Sequence, residues 1–316
     1  MSNYIKSPIH YMGGKFDLLP YIFEQLPKKE EVKIFYDLFG GSGVVSLNAP
    51  YDKVIYNELD TKMVDLLNMV KNTEPKEIIE HINNRAKEFD LNQEGTDTRQ
   101  NIAEVEEVRK YYSEKYFAFR DFYNKSEPKD LKDLFALSFW SFCNLMRFNS
   151  KGEFNMPYGN RCFIKEDGYR LTVAHNVLKK KNITIQNGDA FDVLKSIVSN
   201  EGQFFYLDCP YANTTAIYNE EHETGGWTIE DDEHVFAELD RLTKLGIKWA
   251  YSNVLEAKGK TNNHIEEWAK RNGYTIIDFE QKQYSSIGKG NANAREVLII
   301  NYEQRAKKYS IFDFLD

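Results

Sequence analysis

Apolar and polar positions near the N-terminus follow a pattern of alternating strand and helix. An apolar run over residues 34–39 precedes a glycine turn at 40–43, and a helix is predicted from Val44. A second apolar run over 54–56 leads into the polar stretch 57–60. Strand, glycine turn, helix and strand in this order are typical of a βαβ unit, so the chain is predicted to begin a parallel sheet here.

The pattern changes between residues 61 and 181, where apolar residues recur at helical intervals. The repeat is clearest over 78–89 and 112–123, and 131–145 predicts a third, more apolar helix. The polar turn at 149–152 lies between two short segments and predicts a β-hairpin. This part of the chain is therefore predicted to be mainly helical, with one hairpin.

Strand-like runs return after this region and alternate with helical segments. Four runs predict strands and three segments predict helices, namely strands at 183–185, 204–207, 247–251 and 297–300 and helices at 190–198, 229–245 and 263–271. We therefore predict an α/β protein with a Rossmann-like sheet domain formed by 1–60 and 182–316. Residues 61–181 are predicted to be a mainly helical domain inserted into it.

Composition sets limits on this protein. With 41% hydrophobic and 14% aromatic residues, the 316-residue chain can bury a substantial core. No stretch approaches the roughly 18 apolar residues of a membrane span, so a cytoplasmic protein that binds no membrane is expected. Three cysteines without CxxC spacing and six scattered histidines predict neither disulfides nor a bound metal.

Charge is distributed unevenly along the chain. The net charge of −8 does not favour nucleic acid binding, but residues 161–181 carry six Lys and Arg residues against two acidic ones. A local basic surface can bind phosphate on an acidic protein, because salt screens charges beyond about 10 Å. A solvated helix end explains the same run, and the sequence leaves both interpretations open.

The turn after the first predicted strand carries the first candidate site. Glycines there let the backbone approach a ligand, and Asp37, Phe39, Gly41 and Gly43 belong to this turn. Glu58 ends the next strand, where a carboxylate can accept hydrogen bonds from both hydroxyls of a ribose. NAD and S-adenosylmethionine fit this layout equally, and a plain turn with a surface glutamate is the alternative.

A sharper candidate is Asp208-Cys209-Pro210-Tyr211, which follows a buried strand and should face ligands bound beyond the sheet's carboxyl edge. An adenine amino nitrogen is a weak nucleophile because its lone pair is delocalised into the ring. The Asp208 carboxylate and a nearby backbone carbonyl can accept its hydrogens. Tyr211 can stack on an everted base, on a platform stiffened by Pro210. A strand-end aspartate that caps a turn is the alternative, which the glycine turn and Glu58 disfavour.

In this order, the segments resemble the Dam-type, class alpha DNA adenine methyltransferases, phage members included, over nearly the whole chain. The resemblance implies S-adenosylmethionine as cofactor. It extends to the opening cofactor segment at 11–15 and to the segment at 187–191, which in the family contacts the cofactor's adenine. The resemblance implies cofactor binding by Tyr11, Gly13, Lys15, Asp37, Phe39, Gly41, Gly43, Glu58, Asp189, Phe191 and Asp208, and catalysis by Asp208, Cys209, Pro210 and Tyr211.

The most specific similarity lies at 144–159. There, Arg147-Phe148-Asn149 and the stretch from Gly152 to Gly159 resemble the family's signature for a hairpin that contacts DNA bases. The resemblance implies that 61–181 is a target-recognition domain for duplex DNA, most like members that recognise GATC. Arg147 and Arg161 are candidates for bidentate guanine contacts in the major groove. The full set of predicted DNA contacts is Phe142, Arg147, Asn149, Asn155, Pro157, Tyr158 and Arg161.

Two positions depart from the family pattern. Glu58 stands where the family usually has Asp, which lengthens the side chain by one methylene. Cys209 replaces the first proline of the Asp-Pro-Pro-Tyr motif and keeps the backbone carbonyl that the family uses. The Cys209 thiol leads to the prediction that thiol reagents inhibit the protein's activity through this residue. Loss of the proline makes a catalytically inactive DNA-binding homologue an alternative.

Further alternatives follow from the same motifs. Related Asx-Pro-Pro-Tyr motifs serve other planar nitrogens, so the nearest alternative is a methyltransferase for RNA or a protein amide. A NAD-dependent dehydrogenase leaves 208–211 and the 144–159 signature unexplained. The favoured function is an adenine-N6 DNA methyltransferase acting as a monomer or a weak dimer on DNA. Residues 212–226 are polar and predict either a lid over the everted base or a surface loop.

Overall fold

The computed structural model describes residues 4–95, 103–212, 226–257, 259–279 and 294–303. Residues 213–225 of the predicted lid or loop therefore lie outside the described residues. The described chain contains one mixed sheet with helices packed on both faces. Its strands are β1 (Ile34–Asp37), β2 (Lys53–Glu58), β3 (Asn182–Asn187), β4 (Gln203–Leu207), β5 (Lys248–Ala257), β6 (Lys260–Thr261), β7 (Thr275–Asp278) and β8 (Arg295–Ile300).

Several helices begin where a side chain accepts a hydrogen bond from a backbone N–H group of the first turn. The Asp60 carboxylate accepts from Lys62 N, and Thr228 and Asp231 form the capping box that their spacing predicts. None of the described helices is both long and apolar enough to cross a bilayer. The helices are α1 (Leu19–Gln25), α2 (Val44–Asn48), α3 (Thr61–Asn72), α4 (Pro75–Glu88), α5 (Ala103–Lys125), α6 (Leu131–Trp140), α7 (Lys165–Lys180), α8 (Ala190–Ser196), α9 (Ile229–Lys244) and α10 (Asn263–Arg271).

The order of strands in the sheet is β3-β2-β1-β4-β5-β8-β7, with β6 paired to β5. Strands β1 to β5 run parallel, whereas β8 is antiparallel to both of its neighbours, β5 and β7. Chain order reverses between β1 and β4, which is where open α/β sheets bind ligands beyond the carboxyl ends of their strands. The mostly parallel sheet confirms the predicted α/β class and is consistent with an S-adenosylmethionine methyltransferase fold.

Two hydrophobic cores cover the two faces of the sheet. Phe35 and Tyr206 belong to the core that also contains residues of α1 to α7, whereas Phe205 and Trp249 belong to the core under α8, α9 and α10. Helices α3 and α7, near the two ends of the predicted insertion, pack against each other and against β3. The helices of 61–181 thus share a core with the sheet.

The third predicted helix is shorter than the sequence pattern indicates. Helix α6 ends at Trp140 rather than near residue 145, and Cys143 and Asn144 adopt left-handed backbone angles with φ of 56° and 57°. The chain leaves the helix because it pairs with a later segment: Phe142 N donates to Pro157 O, and a further bond joins the segments next to it. The apolar pattern of 141–145 therefore reflects packing in an irregular turn.

The predicted hairpin is present as a turn with little strand around it. Gly152 N donates to Asn149 O at 2.8 Å, which closes the turn at the predicted position. Antiparallel pairing is limited to two isolated bridges, Phe148 with Phe154 and Ser141 with Tyr158. Strand β7 was not predicted, because its half-buried edge position leaves only a short apolar run in the sequence.

Candidate active site

The carboxyl edge of the parallel strands brings the predicted site segments side by side. Glu58 ends β2 and Asp208 follows β4, while the glycine turn follows β1. Asn57 joins two neighbouring loops, because its amide donates to the carbonyl oxygens of Leu38 at 3.1 Å and Gly188 at 3.0 Å. The segments after β1, β2 and β3 are thereby held in a fixed relation.

The glycine turn is compressed between two tyrosine rings. A Cβ at Gly40 would lie 2.2 Å from the ring of Tyr56, and one at Gly41 would lie 3.0 Å from the ring of Tyr11. The Tyr56 hydroxyl also donates to Gly41 O at 2.7 Å. Gly43 has a φ of 76° at the start of α2, an angle that favours glycine. Gly40 and Gly41 therefore have no room for a side chain, and Tyr11 lies against the turn.

Glu58 connects the glycine turn to the end of β2. Its two carboxylate oxygens accept hydrogen bonds from Gly41 N at 2.8 Å and Asp60 N at 2.9 Å. Burial raises the pKa of Glu58, although these backbone donors oppose the shift. A carboxylate has about four lone-pair sites, so these two bonds leave acceptor capacity for ligand hydroxyls. A ribose contact by Glu58 remains a prediction.

Asp37 lies beneath the turn and is 1% exposed. One oxygen of its carboxylate accepts from Ser46 Oγ at 2.6 Å and from Ser46 N at 3.1 Å. Burial raises the pKa of Asp37 to about 7, because the charged form is desolvated. Its partner within the described protein is thus α2, and a role toward the cofactor remains a prediction.

Asp37 should make stability depend on pH. Its pKa rises from 3.8 to about 7 on folding, so its contribution is greatest below the unfolded pKa and is lost as pH rises toward about 7. Asp37→Asn keeps an acceptor for Ser46. It should raise the melting temperature above that of the wild type by more at about pH 8 than at about pH 5. Thermal unfolding at both pH values measures this gain, with Asp52→Asn, at an exposed carboxylate, as control. Equal shifts at both pH values would contradict the prediction.

Lys15 connects the N-terminal segment to the segment after β4. Its ammonium lies 2.9 Å from Asp208 Oδ1 and donates to the Tyr211 hydroxyl at 2.7 Å and to Gly13 O at 3.3 Å. The Tyr211 hydroxyl in turn donates to Asp208 Oδ1 at 3.2 Å. The Lys15 side chain is 4% exposed. Two segments that lie far apart in the sequence thus form one buried polar cluster, which contains two of the four predicted catalytic residues, Asp208 and Tyr211.

The charged groups of this cluster shift one another's pKa values. Burial raises the pKa of Asp208, while the adjacent Lys15 ammonium counteracts this shift. Burial by itself would lower the pKa of Lys15, but the neighbouring Asp208, Tyr211 and Glu296 hold it well above its ordinary value. Glu296, on β8, lies 3.2 Å from Lys15 Nζ and was missed from the sequence. Its only sequence signal is an acidic residue immediately before the apolar run 297–300.

Two buried hydroxyl groups lie below this cluster. Tyr206 and Ser252 are both fully buried, and their hydroxyl oxygens have no well-formed hydrogen bond within the described part of the chain. The parallel register of β4 and β5 places Tyr206 and Ser252 on the sheet face that leads to Asp208. Burial raises the pKa of the Tyr206 hydroxyl well above its ordinary value, and an interaction with the Ser252 side chain opposes this shift.

An aromatic cluster stands beside the glycine turn. The ring centroid of Trp227 lies 5.7 Å from that of Phe39 and 6.3 Å from that of Phe191, with a nearly parallel orientation to the latter. Trp227 Nε1 donates to the fully buried Asp232, whose other oxygen lies 2.8 Å from His264 Nε2. In the structure, Trp227 joins the two predicted cofactor-binding phenylalanines.

The loop after β3 borders an open cavity of about 340 Å³. Gly188 and Asp189 line this cavity, together with Tyr36 from β1. The Asp189 carboxylate accepts from Phe191 N at 2.8 Å and so caps α8. Asp189 thus fixes the position of Phe191, and contact of either residue with a cofactor adenine remains a prediction.

Cys209 contradicts the expectation that its thiol controls sensitivity to thiol reagents. The residue is 2% exposed, and burial, with Asp232 and Asp208 nearby, raises the pKa of its thiol well above the ordinary value. The thiolate is the reactive form, so a buried thiol with a raised pKa reacts slowly. Cysteine at this position behaves as a small packing residue beneath the motif.

Thiol reagents should instead modify Cys143 and Cys162, which are partly exposed. In the native protein, peptide mass mapping after a brief alkylation should find label on these two cysteines and little on Cys209. Treatment in denaturant, which labels all three, provides the control. Cys209→Ser should be as sensitive to the reagent as the wild type. Preferential native labelling of Cys209 would contradict the structure.

The predicted DNA contacts form two groups, and the first group makes bonds within the protein. Arg147 Nε donates to Asn155 Oδ1 at 2.9 Å, so Asn155 orients the guanidinium. Asn149 accepts from the backbone of its own turn, and the Tyr158 hydroxyl donates to Asn92 Oδ1 at 2.8 Å. These residues shape the turn, and their contact with DNA remains a prediction.

The second group is directed to solvent. Phe142 is 48% exposed at the irregular turn after α6, and Pro157 and Arg161 are exposed as well. The Arg161 carbonyl accepts from Asn92 Nδ2 at 3.0 Å, which anchors its backbone. The described structure thus gathers Phe142, Pro157 and Arg161 along the segments flanking Arg147.

One group within the described residues has spacing suited to a metal ion, His81 with Asp130 and Asp133. Asp133 already forms a bidentate pair with Arg85, at 2.7 and 3.0 Å, and lies 2.6 Å from His81 Nε2. Asp130 caps α6 by accepting from Lys132 N. These partners account for the group as a polar connection between α4 and α6, and a metal-free protein remains a prediction.

Comparison with known proteins agrees with the motif order. Residues 11–284 match the sequence profile of the D12 class N6 adenine-specific DNA methyltransferases. The chain is 31% identical to Modification methylase LlaI of Lactococcus lactis subsp. lactis, over 94% of this chain and 43% of that protein. It is 31% identical to Type II methyltransferase M.FokI of Planomicrobium okeanokoites, over 97% of this chain and 44% of that protein.

A shorter relative is the DNA adenine methylase of Escherichia coli (strain K12), with 27% identity over 78% of this chain and 79% of that protein. The chain therefore spans less than half the length of LlaI and M.FokI but most of the length of the shorter methylase. The family match over residues 11–284 includes the glycine turn, the hairpin and the segment after β4.

Proposed function

The chain belongs to the D12 class N6 adenine-specific DNA methyltransferases, and from this membership we propose that it methylates the exocyclic amino nitrogen of adenine in duplex DNA. One observation carries the proposal, the buried cluster of Asp208, Tyr211 and Lys15 beside the glycine turn. This cluster offers a carboxylate acceptor and an aromatic ring at the edge where an α/β sheet binds ligands.

We propose S-adenosylmethionine as the cofactor, which supplies an electrophilic methyl group on a sulfonium. Tyr11 and the glycine turn would hold it on one side, Glu58 would accept from its ribose, and Phe39 and Phe191 would flank its adenine. The acceptor capacity left on Glu58 and the close approach of Tyr11 to the glycine turn support the fit. The proposed set also includes Gly13, Lys15, Asp37, Gly41, Gly43, Asp189 and Asp208.

The chemistry then depends on Asp208. Its carboxylate would release Lys15 and Tyr211 and accept the amino hydrogens of the target base, with the Cys209 carbonyl as a second acceptor. These bonds favour a tetrahedral nitrogen with its lone pair available for attack. The nitrogen must lose one proton after the new bond forms. Because burial raises the pKa of Asp208, this carboxylate is suited to accept that proton.

Tyr211 would hold the base by stacking once the base has left the duplex. Its ring lies near the Lys15 ammonium, 5.4 Å from ring centroid to Nζ, and the bonds of its hydroxyl group to Lys15 and Asp208 hold it in place. Pro210 restricts the backbone between the carboxylate and the ring. Eversion is needed because an amino group stacked inside a duplex cannot reach a pocket of this kind.

We propose that 61–181 supplies the target-recognition domain. Phe142, Pro157 and Arg161 are exposed around the turn, and Asn155 orients Arg147 for a bidentate contact with guanine. The basic run 161–181 supports phosphate binding, although part of it is paired within α7. The recognition sequence proposed from the resemblance is GATC, with Asn149 and Tyr158 shaping the contact surface.

Transfer of a labelled methyl group tests this function. The purified protein is given methyl-labelled S-adenosylmethionine with duplex DNA, RNA or protein, and modified adenines in plasmid DNA are then mapped. Label in adenine of duplex DNA is the expected result. Adenine methylation outside GATC would reject the proposed site alone. Transfer only to RNA or protein, or no transfer with bound cofactor, would reject the proposed function.

A further inference from the structure

Lys15 lies between two carboxylates that come from different strands. Its Nζ is 2.9 Å from Asp208 Oδ1 and 3.2 Å from Glu296 Oε1, with the Tyr211 hydroxyl at 2.7 Å and Gly13 O at 3.3 Å. An ammonium has three N–H donors, so four oxygen atoms share them. The side chain is 4% exposed, which leaves little opportunity for water to replace a lost partner.

Binding of a substrate amino group would disturb this arrangement. If Asp208 accepts the amino hydrogens, Lys15 loses its nearer carboxylate. A buried ammonium without a carboxylate partner is strongly unfavourable. Among the described residues, Glu296 is the other carboxylate within ion-pair distance of Lys15. The cluster therefore already contains the group that can keep Lys15 paired.

We propose that Glu296 is a positioning residue for methyl transfer, which retains the Lys15 ammonium while Asp208 exchanges Lys15 for the amino group of the target base. This inference rests on the proposed function. Glu296 acts through Lys15 and does not need to contact the base. Its effect is to make Asp208 available, so it should change the rate of transfer more than the affinity for cofactor.

The position of Glu296 in the sheet is suited to this role. It lies near the start of β8 and pairs with Val254, and the β5–β8 register shifts between Val254 and Glu256. Irregular pairing of this kind redirects side chains, and it is common beside active sites. The preceding residue, Arg295, is anchored by Asp278 at 2.6 Å. The backbone is thus fixed, while the Glu296 side chain remains 20% exposed at the cluster.

The first test replaces Glu296 with its neutral isostere. Glu296→Gln should lower kcat about tenfold to a hundredfold, because Lys15 then stays bound to Asp208. The dissociation constant for S-adenosylmethionine, measured by calorimetry, should stay close to that of the wild type. Glu296→Asp, which keeps a carboxylate, should recover part of the loss. Glu256→Gln, at an exposed carboxylate on the paired strand, is the matched control and should keep wild-type kcat.

A double-mutant cycle separates this role from a general structural one. In a Lys15→Met background the ammonium is gone, so Glu296→Gln should cause no further loss of kcat. If transfer by Lys15→Met is too slow to measure, the same cycle is run on melting temperature. A combined effect that differs from the sum of the two single effects supports the Lys15–Glu296 contact, and additive effects overturn it. Wild-type kcat in Glu296→Gln, or the same fold-loss in both backgrounds, also overturns the proposal. An inactive wild type would reject the proposed function instead, and the melting cycle would still test the pair.

Discussion

Asp208→Ala is expected to reduce methyl transfer by about a thousandfold, the upper range for removing one group that stabilises a transition state in a preorganised site. The carboxylate is proposed to accept the amino hydrogens and then a proton, and alanine can do neither. Cofactor binding should persist, because most of the proposed cofactor contacts come from the turn after β1 and from the ends of β2 and β3. Single-turnover transfer to duplex DNA measures the first effect, and calorimetry with S-adenosylmethionine measures the second.

The fold should survive this substitution. Lys15 keeps Glu296 as a carboxylate partner when Asp208 is removed, so no buried ammonium is left unpaired. Asp52→Ala, at an exposed carboxylate far from the cluster, controls for general effects of removing an acid. Asp208→Asn adds a finer comparison, since the amide keeps one acceptor and introduces donors. An Asp208→Ala protein with transfer close to wild type would refute the role of the carboxylate.

Gly159→Ala is the second substitution with a large expected effect, and it acts on DNA binding. A Cβ at this position would lie 2.2 Å from Ser141 O and 2.8 Å from Phe142 Cα, both of them backbone atoms. Gly159 N donates to Trp140 O at 2.8 Å, so the two segments are held in close contact. Backbone cannot rotate away as a side chain can, and the segments must separate.

Separation would displace Phe142 and the turn that carries Arg147. The strain should cost about 3 kcal/mol. If this cost falls on DNA binding, it corresponds to roughly a hundredfold loss of duplex affinity. Fluorescence anisotropy with a labelled duplex measures the affinity, and thermal melting detects strain that is expressed in folding. Binding of S-adenosylmethionine should change less, because the added methyl meets Ser141 and Phe142 and none of the proposed cofactor residues.

Gly168→Ala provides the matched control within the same region. The added methyl would lie 3.3 Å from Ile79 Cδ1, the flexible end of a side chain, and alanine favours the helix by about 1 kcal/mol. This variant should bind duplex DNA as the wild type does. If Gly159→Ala had the same melting temperature and the same duplex affinity as Gly168→Ala, the close approach at residue 159 would not matter for DNA binding.

The parts of the fold that the sequence predicted are those with strong local signals. The run 204–207 is fully apolar, and it forms a central strand buried on both faces. The spacing of Thr228 and Asp231 fixes the start of α9 because a capping box needs only these neighbours. Segments 11–15 and 208–211 were each recognised by motif. The contact that Lys15 makes between these two segments could not be derived from either motif alone.

The missed features depend on contacts between distant segments. Helix α6 stops early because of bonds to 157–159, which no pattern within 131–145 reveals. Glu296 is one acidic residue near the start of a strand, and only its ion pair with Lys15, from a distant segment, marks it as part of the site. The burial of Cys209 follows from the packing of β4 and α9, so the expectation of a reactive thiol failed. A pattern along one segment does not report the environment that other segments create around it.

Strand β8 has a consequence for biosynthesis. It sits between β5 and β7, although it is the last strand in sequence order within the described chain. A ribosome must therefore deliver residues 295–300 before β7 can join the sheet, and Glu296 reaches Lys15 only then. Polypeptides interrupted upstream of this strand would expose two unpaired edges and invite proteolysis. Translation must therefore pass residues 295–300 before Lys15 can acquire its second carboxylate partner.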